Sequence, residues 1–131
     1  MSIRPQHAIK IFDGSKTAEL RRIRPRTLAP DDLVFVYVSS PVKSLVGAFK
    51  VASIIVKPLE PLWRSVRKYA GVTRSEFFNY YEGTEAGVAI FIKDRWLLPK
   101  PIHLAQLQKN LEDFVPPQSF RYTSIQPILS L

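Results

Sequence analysis

A chain of 131 residues with 46% hydrophobic side chains can bury about two-thirds of the surface its unfolded form exposes, so one folded domain is expected; the absence of cysteine excludes disulfides, thiolate zinc sites and thiol nucleophiles, and two distant histidines, His7 and His103, make a metal site an unfavoured reading. No apolar run approaches the roughly 18 residues of a membrane span, Leu33–Val38 being the longest, and no signal-peptide stretch opens the chain, so a soluble cytoplasmic protein with no cofactor is expected. The net charge of +8 is lopsided: residues 1–26 carry seven basic side chains against Asp13 and Glu19, which points to an anionic partner such as RNA docking near the N-terminal elements.

Pro5 suits the first turn of a helix, where its missing N–H has no intrahelical partner in any case. Ala8, Ile9, Ile11 and Phe12 supply an apolar stripe and Gly14 a C-terminal cap, so a helix is predicted over 5–13. A strand follows over 17–22, which places Glu19 and Arg21 on one face and Ala18 and Leu20 on the other. Pro25, Pro30 and Asp31-Asp32 mark a loop. Residues 33–38 form a strand apolar on both faces, broken by Ser39-Ser40-Pro41, and a second long strand covers 45–56.

Leu59, Leu62, Trp63 and Val66 recur at helical spacing, predicting a helix over 59–69 that stops before Gly71. Thr73-Arg74-Ser75-Glu76 reads as a capping box opening a helix over 74–82, whose Phe77, Phe78, Tyr80 and Tyr81 read first as core. A strand is predicted over 86–92 and a helix over 103–114, ended by Pro116-Pro117, with a last short strand over 119–122. Strands outside a βαβ rhythm with helices between them indicate an α+β fold, a small, partly open barrel with helices filling its gaps.

The densest chemistry is the run from Gly14 to Arg26, with Lys16, Arg21, Arg22, Arg24 and Arg26 around the single carboxylate of Glu19. A carboxylate between cations can hold them toward a ligand, or accept from the exocyclic amine of a base; the plain alternative is a surface ion pair of little energetic weight. Arg22, Arg24 and Arg26, on alternate positions, form a phosphate-positioning stripe if the strand continues, which Pro25 opposes. Tyr37, Ser40 and Lys43, around Pro41, could stack on a base and hold a phosphate, or make an ordinary turn. Arg121, between Phe120 and Tyr122, mixes a cation with π faces. No phosphate-cradling glycine loop, nucleophile elbow or paired-carboxylate site is present.

The segment Ser2-Ile3-Arg4-Pro5-Gln6-His7-Ala8, followed by Gly14-x-Lys16-x-x-Glu19-x-Arg21, resembles the opening of ASCH domains, members of the PUA-like superfamily, and all four positions of that signature match. Asp32-Leu33-Val34-Phe35-Val36-Tyr37, Ser40-Pro41-Val42-Lys43, Gly47-Ala48-Phe49-Lys50-Val51 and Pro117-Gln118-Ser119-Phe120-Arg121-Tyr122 are similar to regions of prokaryotic members. The resemblance implies a PUA-like barrel with a cleft beside the signature strand, RNA or a nucleotide-containing ligand as partner, a link to translation or transcriptional control, and Lys16, Glu19 and Arg21 as cleft residues. Some small relatives are amidohydrolases of acylated cytidines, marked by a lysine, a threonine three residues later and a glutamate near a later helix. Here Glu19 stands at the threonine position, and Tyr69-Ala70-Gly71-Val72 offers no acid. RNA binding is therefore the leading expectation. The alternatives are a hydrolase of a modified nucleoside or RNA, with Lys16 and Glu19 as its catalytic candidates, and a protein-interaction module using the aromatic helix.

Overall fold

The computed structural model describes residues 1–110 and has the predicted α+β character: a mixed five-stranded sheet with helices packed on it. The chain runs through β1 (Ser2–Ile3), α1 (Pro5–Asp13), β2 (Ala18–Arg21), β3 (Leu33–Val38), β4 (Ser44–Pro58), α2 (Leu59–Val66), α3 (Arg74–Tyr80), β5 (Ala86–His103) and α4 (Leu104–Asn110). Strand order is β1-β3-β4-β5-β2, with β1 parallel to β3 and the other pairings antiparallel.

Local signals placed α1 and α3. Pro5 opens α1, and Gly14 closes it in the left-handed conformation at φ 88°, where a Cβ would be strained. Thr73 Oγ1 accepts from Glu76 N while Glu76 Oε1 accepts from Thr73 N, completing the capping box of α3. Helix α2 ends at Val66, short of the expected 69, and the following turn bonds back onto it through Tyr69 N and Ala70 N to Val66 O.

Strands β2 and β4 depart from the sequence reading by only one or two residues at their ends, whereas β1 and β5 depart further. The pair Ser2–Ile3 becomes a strand because β3 lies beside it: Tyr37 N bonds Met1 O and Ser39 N bonds Ile3 O. Strand β5 runs to His103 rather than 92, and its prolines do not break it. Gly47 pairs with Leu97 and Leu45 with Ile102, so Pro99 and Pro101 fall in an irregularity between ladder positions, where a missing N–H costs little. Helix α4 starts one residue later than predicted; the rest of the 103–114 helix, the 119–122 strand and Arg121 lie outside the described residues.

The sheet is curled and open. Its edges, β1 and β2, meet without forming a ladder, and Arg21 Nη2 crosses the seam to donate to Ser2 O at 3.0 Å. The concave side holds the main core, with Ile3, Ala8, Ile11, Val34, Val36, Phe49, Val51, Val88, Ile90 and Ile92. A second cluster on the other face joins Leu20 and Ala89 to α2 and α3 through Leu62, Val66, Phe77 and Tyr81. The aromatic helix is thus turned inward at Phe77, which contacts Trp63, Phe78 and Tyr81.

Candidate nucleic-acid cleft at the sheet seam

A cleft of about 550 Å³ opens where the two sheet edges meet. Register explains why charged side chains line it. Glu19 pairs with Ile90 and Arg21 with Val88, and opposite residues of an antiparallel pair share a face. Both side chains therefore sit on the concave side with the main core, while Leu20, opposite Ala89, joins the second cluster. At the seam the concave core gives way to polar groups: Lys16, Glu19 and Arg21 on one wall, Arg4, Gln6 and His7 from the start of α1 on another, and Glu76, Asn79 and Tyr80 of α3 on the rim.

Lys16 is 2% exposed and Glu19 8%. Lys16 is covered because the turn after α2 folds onto its segment: Lys16 Nζ donates to Ala70 O at 2.5 Å, Thr17 N and Ala18 N bond Tyr69 O, and Lys10 Nζ reaches Gly71 O. Burial lowers the ammonium pKa of Lys16, and the nearby Glu19 carboxylate partly opposes that. Burial and then Lys16 push His7 below its ordinary 6.5, favouring the neutral ring. Three buried atoms of these walls lack a hydrogen-bond partner: His7 Nδ1, Glu19 Oε2 and Arg21 Nε.

Strand β2 is held from behind. Tyr80 Oη donates to Leu20 O, and Tyr81 Oη contacts Arg21 O and Val88 O at 3.1 Å each. The tyrosine rings meet edge to face, and burial raises the Tyr81 phenol pKa well beyond its ordinary value. Glu19 and Arg21 therefore project from a braced backbone.

Lys16, Glu19 and Arg21 all line the cleft. The arginines that follow do not form one stripe. Strand β2 stops at Arg21, so Arg22, Arg24 and Arg26 lie exposed on the loop leaving the cleft, with Arg22 Nη2 donating to Glu82 O at 2.9 Å. Tyr37 is 4% exposed and packs with Leu45 and Leu107, outside the cleft, its phenol pKa raised by burial. Ser40 and Lys43 are exposed on the turn between β3 and β4, with Lys43 at φ 48°. Ser39 N bonds the carbonyl oxygen of Ile3, the residue before Arg4, but neither Ser40 nor Lys43 lines the cleft.

Sequence reasoning missed His7, Arg4 and Gln6 as wall residues. It assigned Glu76 only a capping role, whereas the residue also lines the cleft. The one available signal was helical: Glu76 and Tyr80 stand four residues apart and share a face. Among the described residues, no helix is long and apolar enough to cross a membrane, and no cluster of three histidine or carboxylate groups could hold a metal.

A family model described as the ASCH domain matches residues 1–113. A protein of Zymomonas mobilis subsp. mobilis named ASCH domain-containing ribonuclease is 32% identical over 134 residues, spanning 100% of this chain and 89% of its own. The crystal structure of ASCH from Zymomonas mobilis matches with a TM-score of 0.92 and 31% identity, covering 100% of this chain and 92% of that one. A tyrosine-to-phenylalanine mutant of the Zymomonas protein matches with a TM-score of 0.93 and 30% identity, covering 100% and 95%.

Proposed function

The chain belongs to the ASCH domain family, and from that premise we propose that it binds single-stranded RNA across the seam cleft. The observation that carries this reading is the convergence of buried Lys16 and Glu19 with Arg21 in a cleft of about 550 Å³ whose walls keep unpartnered polar atoms. The surroundings fit a strand crossing it. Arg22, Arg24 and Arg26 are exposed on the loop that follows Arg21, and Ser40 and Lys43 are exposed on the turn between β3 and β4. Long cations on loops suit phosphate contacts, which position a strand without reading its sequence. Arg121, beyond the described residues, is assigned the same role.

The test is a salt titration. Single alanine variants of Arg22, Arg24 and Arg26 should weaken binding to different RNAs by similar factors and flatten the salt slope by about 0.7 per lost contact. Binding that ignores both salt and these arginines would refute the reading.

RNA cleavage is the second reading, favoured by the whole-chain match to a protein named a ribonuclease. Lys16, its pKa lowered by burial, and Glu19 are the candidates for proton transfer. Cleavage of end-labelled RNA by the native chain and its loss in Lys16→Met would support catalysis. Intact RNA alongside salt-sensitive binding would leave the first reading alone.

A further inference from the structure

Two of the unpartnered atoms belong to residues on the same face of β2: Glu19 Oε2, an acceptor, and Arg21 Nε, a donor. A buried polar atom left without a partner is costly, so a ligand that supplies one gains more than an ordinary surface contact would. The supporting backbone is braced by β5 on one side and by the Tyr80 and Tyr81 hydroxyls on the other, so little ordering remains for binding to bring about. The cleft volume of about 550 Å³ lies within the usual range of small-ligand sites, and Tyr80, 41% exposed on the rim, adds an aromatic surface.

Resting on the RNA-binding reading, we propose that the cleft takes one unstacked guanine of the bound strand, whose N1–H and N2 amino group donate to the Glu19 carboxylate while O6 accepts from Arg21 Nε. The choice among bases follows from their Watson–Crick edges. Guanine presents two adjacent N–H donors beside a carbonyl, which satisfies a carboxylate and its neighbouring donor together. Adenine and cytosine present one amino group beside a bare ring nitrogen, so the carboxylate gains one donor at most. Uracil flanks its single N–H with two carbonyls, which would face the carboxylate with like partial charge. Lys16, buried in the same wall, offsets the charge of Glu19, and one of its three N–H donors is already taken by Ala70 O.

The test is calorimetric titration of the full chain with RNA pentamers of sequence UUXUU, where X is guanine, hypoxanthine, adenine, cytosine or uracil, at fixed ionic strength. Guanine should bind tightest, and hypoxanthine, which lacks only the N2 amino group, about tenfold more weakly. Glu19→Gln should cost the guanine pentamer about tenfold and narrow its margin over adenine. The hypoxanthine comparison needs no variant, so it decides the matter even where Glu19→Gln folds poorly. Equal, salt-sensitive binding of all five, or preference for another base, would overturn the guanine assignment and leave RNA binding standing. No binding of any pentamer would overturn both.

Discussion

Replacing Arg21 with methionine tests whether the seam is a structural clasp. The guanidinium spans the two sheet edges through a 3.0 Å bond to Ser2 O, and no backbone ladder joins those edges. Hydrogen bonds to charged groups contribute about 1.5–3 kcal/mol. Arg21 is partly exposed, so solvent screening brings the figure down to about 1–1.5 kcal/mol. Methionine keeps the apolar length of the side chain, which limits any cavity contribution. In a domain of this size each kcal/mol moves the melting temperature by about 3–5 °C, so Arg21→Met should melt about 3–7 °C lower by scanning calorimetry. Hydrogen exchange should localise the effect. The Tyr37 and Ser39 amides, which bond the carbonyls of Met1 and Ile3, should exchange faster, while the β4–β5 ladder keeps its protection. An unchanged melt with unchanged exchange at these two amides would refute the clasp.

Gly47→Ala should be severely destabilising, by about 3 kcal/mol, because the new Cβ would lie 2.2 Å from the Trp96 carbonyl oxygen and 2.8 Å from the Phe12 ring. The urea midpoint reads this, and an unshifted midpoint would show that the β4–β5 ladder yields there. Because His7 has a folded-state pKa below its ordinary 6.5, the unfolded chain takes the proton first; the contribution is complete above that value and is lost as pH falls through the folded one. Urea melts from about pH 7.5 down to pH 5 should therefore fall less steeply for His7→Gln than for the native chain, and parallel curves would contradict the assignment.

What was legible in the sequence was local. Pro5 and Gly14 bounded α1 because a missing N–H and a left-handed φ are properties of those residues themselves. Thr73 and Glu76 announced α3 because a capping box closes within four residues. The doubly apolar run of β3 and the Gly14-x-Lys16-x-x-Glu19-x-Arg21 signature were likewise readable without partners. Strand β1 was not, since two residues gain strand geometry only from the β3 edge beside them. Nor was the far half of β5, where the predicted strand stopped at 92; only pairing with β4 carries it on to His103, with Pro99 and Pro101 at an irregular stretch of the ladder. The role of the signature was equally nonlocal. Alternation put Glu19 and Arg21 on a common face, but whether that face met solvent or the concave core depended on register. Pairing with Ile90 and Val88 directed both inward, and the curl of the sheet then brought His7, Glu76 and Tyr80 around them. A one-residue slip would have sent the two charges to the opposite face, and only long-range pairing decides between those outcomes.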